Sequence, residues 1–559
     1  MPLFHRAEDL KADFKKYTGR PRFFDFVFFA LLALSAAGKI SAALHMPLNS
    51  DNSLPALVYY DLANNHNFSL RLWDFAVNSY LFTDLPVYLA LGPVIGMSAP
   101  TLKIGALILF MLSVILMCWL AFRIFGARTA LYAAGFLLAA SPFFSSFALK
   151  PFEGARVGTV IFSLAAFLAA DSMIRAKKEK RAGGRMRTVF PLAVLFAAVS
   201  LAVFSDPYAL LFVAAAGAAY LGVRIFGGNR LLDRRTELAL ALTLAASLLT
   251  VRLLYAAAGS LDIVLLKHLV PFGLAPVKDW AGYSLHYCLM AAGLLNMNVL
   301  QAGLPWYEAA LRISNAVLFT VVLINAIILT SKEKDGRRQF ALAFFWAVWV
   351  LAGLAFVFKE EVVLDMQQAR YLAPMIYPFS IFFAISLDGG RFPGKYRRTL
   401  IFAPFLLSAL YGAGMGFHYK PDCKPNGGQI RLVRFLEQNG LFYGYADYWN
   451  AGILTLLSND TVEVRSLQYT AKSNLLKPYV LNAKLDWYKP AHYEGRTFLI
   501  VAKSGQSCDY DRLYCSPKIV TGYFGAPEEV LRFEGKYIYV WPHNIVKRFW
   551  PSAPQKTGK

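Results

Sequence analysis

Charged residues are scarce in this chain of 559 residues. Asp, Glu, Lys and Arg make up 16% of it, against about 25% in a soluble domain. That shortage argues against a string of soluble domains. Acidic residues are the scarcer sign, 35 against 57 Lys and Arg, for a net charge of +22. Cysteine is rare too: the five are Cys118, Cys288, Cys423, Cys508 and Cys515. None has the His and Cys companions of a zinc site. Cys508 and Cys515 either pair across a short loop or stay as free thiols. The C-terminal segment has no Gly-rich phosphate loop followed by Lys-Ser/Thr. Internal repeats and low-complexity segments are absent. The polar start, MPLFHRAEDLKADFKKYTGRPR, leads into a long apolar run without an A-x-A site. The first run is therefore expected to stay as an anchor rather than be cleaved as a signal peptide.

Hydrophobic residues, by contrast, reach 57%, and they are gathered into runs long enough to span a bilayer. These fall at about 24–45, 104–122, 129–148, 157–174, 189–205, 207–223, 236–257, 308–330, 339–358, 371–388 and 399–417. The fold class expected is an α-helical polytopic membrane protein of about eleven spans, with a C-terminal α/β domain. The run 284–304 carries His286, Asn296, Asn298 and Gln301 and reads as a re-entrant or interfacial helix.

The positive charge lies in short blocks between apolar runs: Arg175 to Arg187, Arg224 to Arg235, Lys332 to Arg338 and Arg391 to Arg398. That is the pattern of the positive-inside rule, not of a nucleic-acid-binding face. The basic N-terminal tail belongs on the same side. With eleven spans all the basic loops agree. The expectation is a multi-pass protein of the plasma (inner) membrane, N-terminus cytoplasmic and C-terminal domain extracytoplasmic. The outer side then carries the long connections 46–103 and 258–307 and the shorter 359–370. Long outer loops place binding or chemistry on that side.

Residues 1–417 are read as the membrane domain and 418–559 as a soluble α/β domain. IRLVRFLEQNG reads as a helix closed by Gly440. LFYGYA, TVEVRSL, TFLIVAK and KYIYVW read as strands, and WNAGILTLLS and PEEVLRF as helices. The tail PSAPQKTGK reads as disordered.

The most informative stretch runs from His45 to Leu91. Asp51 follows the first span by a few residues, among Asn49, Ser50, Asn52 and Ser53. PALVYYDLANN and LPVYLALGPVIG have the spacing of short interfacial helices. Tyr59, Tyr60, Trp73, Tyr80 and Tyr88 suit the headgroup level. Asp51 also has the residue type of a plain helix N-cap, and the aromatics that of a plain interfacial belt. An acid at the end of the first span followed by interfacial helices resembles the GT-C glycosyltransferases, which use a lipid-linked sugar donor. Among these are the bacterial aminoarabinose transferases and the protein O-mannosyltransferases. The resemblance implies a second acid in the loop between the third and fourth spans. There LKPFEGARVG offers Glu153. It also implies a phosphate partner where KEEVVLDMQQARYLAP enters a span with Arg370-Tyr371. The segment Tyr443 to Ser458 resembles the outer domain of bacterial members. Two features depart from the pattern. A Lys-Pro-Pro of the aminoarabinose branch is replaced by Thr83-Asp84-Leu85-Pro86, an acid for a base, and there is no WWD-type motif.

The implied activity is inverting transfer of a sugar from a polyprenyl-phosphate donor to a lipid, glycan or protein acceptor. A departing phosphate is already a stable anion and needs no general acid, whereas the acceptor hydroxyl needs a base. Asp51 is the candidate base. Glu153 would orient the acceptor or hold a cation, unless it merely pairs with Lys150 or Arg156. Candidate partners of the lipid phosphate are Arg370 and Tyr371, Arg252, Lys267 and His268, with Tyr59 and Tyr60 beside the lipid. Arg252 lies within an apolar run and could equally pair with Asp206. The chemistry demands no metal, though Asp51 and Glu153 could bind a divalent cation through oxygens. A transporter or flippase of a lipid-linked saccharide would show interrupted helices in paired halves. A non-catalytic envelope assembly protein would work through residues 418–559 alone.

Overall fold

The computed structural model describes residues 23–152, 155–178, 186–226, 231–265, 273–300, 303–358, 366–388, 397–418, 426–470, 475–502 and 517–548. Helix α1 (Phe23–His45) leads into α2 (Ser50–Asn64), the short strand β1 (Trp73–Asp74) and α3 (Leu85–Ile95). Then come α4 (Ala99–Phe125), α5 (Ala127–Ala139), α6 (Pro142–Ala148), α7 (Val157–Lys178), α8 (Met186–Ser205), α9 (Ala209–Phe226) and α10 (Arg234–Ser260). Next are α11 (Trp280–Leu294), α12 (Trp306–Lys332), α13 (Gly336–Phe358), a 3₁₀ segment (Met366–Met375), α14 (Ile376–Asp388) and α15 (Arg397–Phe417).

Nine described helices are long and apolar enough to cross a membrane, ten if α5 and α6 count as one bent span. The eleventh sequence span corresponds to α8, whose described apolar part is shorter. The sequence reading took 129–148 as one smooth span. In the structure it is broken, and α5 and α6 meet at 88°. Ser141-Pro142 explains the break, because Pro142 cannot donate to the preceding turn. The carbonyls so released need partners within the bundle. Lys39 of α1 supplies one, donating from Nζ to the Ala140 carbonyl at 2.5 Å and also to the Ser145 hydroxyl. The segment read as one helix over 284–304 is α11, which stops at Leu294, before the three-residue stretch Asn296–Asn298.

Helix α16 (Gly427–Gln438) opens the C-terminal part. It is followed by β2 (Tyr443–Ala446), α17 (Tyr448–Leu457), β3 (Glu463–Thr470), β4 (Leu475–Pro478), β5 (Ala483–Lys484), β6 (Thr497–Ala502), α18 (Pro517–Phe524), β7 (Glu529–Phe533) and β8 (Lys536–Trp541). Six strands form a sheet in the order β4-β3-β2-β6-β8-β7. Its centre, β3-β2-β6, is parallel and its flanks are antiparallel, which makes this the expected α/β part. One expected helix is wrong: PEEVLRF forms β7. Phe533 pairs with Lys536 across Glu534-Gly535, both at positive φ. That is the two-residue hairpin that suits strand twist. The pairing with β8 outweighs the helical spacing of the six residues before it. Of the five cysteines, Cys423, Cys508 and Cys515 lie outside the described residues, and Cys118 and Cys288 are free thiols.

Candidate functional site

Asp51 sits at the second position of α2 and does not cap that helix. Asn49 is the N-cap, in a capping box with Asn52: each side chain accepts the other's backbone N–H, at 3.1 and 2.9 Å. The Asp51 carboxylate instead meets a residue nearly four hundred positions away. The Tyr448 hydroxyl donates to Asp51 Oδ1 at 2.5 Å. Tyr448 opens α17, directly after β2, where Asp447 caps the helix by accepting from the Trp449 N–H at 2.8 Å. The carboxyl end of a central parallel strand is where α/β sheets present ligand-binding residues. Burial first, then the negative charge of Asp51, pushes the Tyr448 hydroxyl well above its ordinary pKa. Tyr448 therefore stays a donor. Asn482 Nδ2 donates to the same hydroxyl at 3.3 Å, and Tyr479 stacks edge-on against the ring at 5.1 Å.

This meeting rests on close packing of α2 under α17. A side chain at Gly452 would stand 2.3 Å from Ser53 Oγ, so anything larger than glycine forces Ser53 to shift. The Ile453 N–H reaches Ser50 Oγ at 3.4 Å. Helix α2 is thus mostly buried between bundle and sheet, not laid open on a headgroup layer as its amphipathic spacing suggested. Asp61, further along α2, ties the two parts together. It pairs with Lys484 at 2.8 Å and accepts from Trp73 Nε1 at 2.8 Å. Burial by itself would raise its carboxyl. Hydrogen bonds from Lys484, Trp73, Asn67 and Asn65 outweigh that and hold it below the ordinary range. β1 adds a two-residue ladder to β5.

The loop from α6 to α7 touches α2 through Pro151. Asn52 Nδ2 donates to the Pro151 carbonyl at 2.6 Å, which brings the loop carrying Glu153 beside the first turn of α2. Glu153 itself lies outside the described residues, as do Lys267 and His268. At the far end of the loop, Arg156 is buried in an ion pair with Asp206. Its guanidinium lies 4.3 Å from the Tyr208 ring centre and 5.2 Å from that of Tyr371. Asp206 also accepts from Thr159 Oγ1 at 2.8 Å, and Tyr208 donates its hydroxyl to the Tyr371 carbonyl at 3.0 Å. Arg370 lies 5.3 Å from the Tyr371 ring. Arg370 and Tyr371 therefore belong to this cationic and aromatic cluster.

Three sequence readings change here. Asp206 pairs with Arg156, not with Arg252, which is exposed on α10. Tyr60 is buried with its hydroxyl on the Met97 carbonyl at 3.1 Å. The Tyr59 ring packs on Gly92 of α3. Both tyrosines thus hold α2 to its neighbours.

Asp84 is the residue that sequence reasoning undervalued. Along the sequence it reads only as an acid in place of a base. It is buried with Tyr80, Tyr88, Lys150, Phe152 and Arg156 around a polar cavity of about 10 Å³, room for one water and too small for a sugar. Burial, with the charge of Asp206 added, raises its carboxyl from 3.8 to about 7. Its side chain occupies the space a Cβ would take at Gly158. No sequence signal distinguished Arg156 or Asp84 from ordinary loop charges, because their partners come from other spans.

No family model and no curated protein matches this chain. Solved structures do. The ArnT of Cupriavidus metallidurans in its apo state aligns over 95% of this chain and 99% of its own, with TM-score 0.55 and 10% identity. The same protein bound to undecaprenyl phosphate aligns over 92% and 98%, with TM-score 0.52 and 11% identity. The Archaeoglobus fulgidus oligosaccharyltransferase, in complex with Zn and sulfate, aligns over 84% and 67%, with TM-score 0.51 and 12% identity. The chain has the GT-C fold. Asp51 stands at the α1–α2 junction, and Pro151 of the α6–α7 loop lies against the neighbouring Asn52. Among the described residues no three His, Cys, Asp or Glu side chains converge to hold a metal ion.

Proposed function

We propose that this protein transfers a sugar from a polyprenyl-phosphate donor to an acceptor hydroxyl, at the membrane face that carries the C-terminal sheet. The observation that carries the reading is the convergence on Asp51. On a GT-C fold, the acid after the first long helix is covered by Tyr448 and flanked by the loop of Glu153. Beyond that loop lies a cluster of Arg156, Arg370 and Tyr371. The structural neighbour solved with undecaprenyl phosphate supports the donor class. The basic loops between spans support a cytoplasmic N-terminus and an extracytoplasmic C-terminal part.

In this reading the acceptor oxygen attacks the anomeric carbon. The bond from that carbon to the phosphate oxygen breaks, and polyprenyl phosphate leaves with the electron pair. The hydroxyl proton passes to the Asp51 carboxylate. A single displacement inverts the anomeric configuration. Tyr448 positions Asp51 without touching the reacting atoms. Arg370, with Lys267 and His268 of the 258–307 connection, would stabilise the departing phosphate. Glu153 would orient the acceptor. Asp51 and Glu153 are the carboxylates that would hold a divalent cation, through oxygens.

The test is release of polyprenyl phosphate when the purified protein meets a panel of polyprenyl-phosphate sugars with candidate acceptors. Release by the natural chain, abolished by a folded Asp51→Asn variant, is expected. An Asp51→Asn protein of full activity would sink the reading. The transporter alternative expects breaks in corresponding halves, and the bent pair α5–α6 is single among the described residues.

A further inference from the structure

A large cavity lies away from Asp51. It encloses about 290 Å³ between α7, α8, α9, α10 and α13, near the lower end of the roughly 300–1,000 Å³ of ligand sites. Its lining is aliphatic and aromatic, including Ala166, Ala198, Ala216, Leu244 and Phe344. Small residues leave the space open: a bulkier set at the alanines would close it.

The helices around it explain why it persists. Consecutive helices α9 and α10 do not pack on each other along their length: α9 packs on α13, and α10 on α8. They are joined at one end, where the Tyr220 hydroxyl donates to Glu237 and Arg224 stands 3.8 Å from the same carboxylate. Leu221 of the lining is 54% exposed, so the slot opens sideways toward the surrounding bilayer.

Length decides what could fill it. The lining runs along α9 from Ala209 to Leu221 and along α7 from Phe162 to Ile174. Either stretch is about 18 Å at 1.5 Å per residue. One leaflet of a hydrocarbon core is roughly 15 Å thick, so the slot suits one acyl chain and is short for a polyprenyl chain. The end nearest the sheet carries no charged side chain and is mainly apolar, with Ala202, Val203, Ala209 and Phe212. There the chain turns beside the packed pair Phe204–Tyr255, 4.9 Å between ring centres. The Ser163 hydroxyl is the polar side chain of the lining toward that end, whereas the Glu237 carboxylate and the Tyr220 hydroxyl line the opposite end. Arg224, Arg234 and Arg235 are exposed around that end, with Asp233 and Glu237 as the nearby acids. Basic pockets between helix ends suit anionic headgroups.

We infer that this slot holds one acyl chain of an anionic phospholipid from the leaflet opposite the C-terminal sheet, its phosphate lying among Arg224, Arg234 and Arg235. Such a lipid would wedge α9 and α10 at a fixed separation, and α9 follows directly on the turn that carries Asp206, the partner of Arg156. The site is independent of the transferase reading, because lipid retention requires no turnover.

The experiment uses the full chain in phosphatidylcholine nanodiscs containing a minor fraction of phosphatidylglycerol, with native mass spectrometry as the readout. One phosphatidylglycerol retained per protein is expected. Ala216→Phe, which fills the slot, and Arg224→Gln, which removes a headgroup partner, should each weaken retention by about tenfold or more. Arg224→Gln should lose the preference for phosphatidylglycerol while leaving the slot open to phosphatidylcholine. Equal retention by natural chain and Ala216→Phe overturns the site, as does no retained lipid in the natural chain. Stoichiometric displacement by added undecaprenyl phosphate overturns it too, and assigns the slot to the donor chain. If Ala216→Phe fails to fold, the natural chain's competition between the two phospholipids decides: no preference for the anionic one refutes the inference.

Discussion

Removing the Tyr448 hydroxyl tests the contact on which the proposed site depends. Tyr448→Phe deletes the 2.5 Å hydrogen bond to Asp51 and leaves Asn482 Nδ2 without the acceptor it has at 3.3 Å. A hydrogen bond to a charged group contributes about 1.5–3 kcal/mol and a neutral one about 0.5–1.5 kcal/mol. Asp51 is only half-buried, which favours the lower figures. The single variant should therefore lose about 2–3 kcal/mol of stability. Part of that loss belongs to Asn482, so a double-mutant cycle is needed. Tyr448→Phe, Asp51→Ala and the double variant would be unfolded in mixed micelles and followed by tryptophan fluorescence. The expected coupling is about 1.5–2 kcal/mol, since the two residues share one charge-assisted bond. In the transfer assay, folded Tyr448→Phe should lose roughly tenfold in turnover, as about 1.4 kcal/mol of lost positioning implies. Coupling below about 0.5 kcal/mol, the ordinary limit of additivity, would refute the argument that the sheet positions Asp51. Full coupling with unchanged turnover would keep the contact but remove its catalytic meaning.

Asp84 makes a pH prediction. Its folded carboxyl, raised to about 7 from 3.8, stays protonated while the unfolded one ionises. The stability this contributes is complete below pH 3.8 and is lost as pH rises to about 7, a swing on the order of 4 kcal/mol. Asp84→Asn should flatten that part of the stability profile, and an unchanged profile would show the buried acid is ionised throughout. Gly452→Ala should cost about 1–3 kcal/mol by overpacking against Ser53, and adding Ser53→Ala should restore part of it. Failure of the rescue in thermal unfolding would mean α17 does not rest on α2 as described. Arg156→Lys keeps the charge facing Asp206 but loses the flat guanidinium lying on Tyr208 and Tyr371. A loss of about 1 kcal/mol with a raised donor KM is expected, and an unaltered KM would separate this cluster from the donor.

Much of this protein follows from its sequence alone. Apolar runs of spanning length, basic blocks between them and an acid just past the first span are local properties of the chain. Each is set by the cost of placing charge or bare backbone in hydrocarbon. They determined the helical membrane architecture, the GT-C resemblance and the choice of Asp51. Local patterns also placed α17 and the strands β2, β3, β6 and β8, but they missed β4 and misread β7, because strand pairing is a neighbour's contribution. Only the tertiary structure decided which charges meet. Asp206 could pair with Arg252 or Arg156 as far as the sequence goes, and packing selected Arg156. Asn49, by capping α2, released Asp51 from that role. Tyr448 reached Asp51 because Gly452 lets two distant helices touch. Buried polar groups take whatever partner close packing brings within hydrogen-bond reach, and no spacing along the chain records that choice.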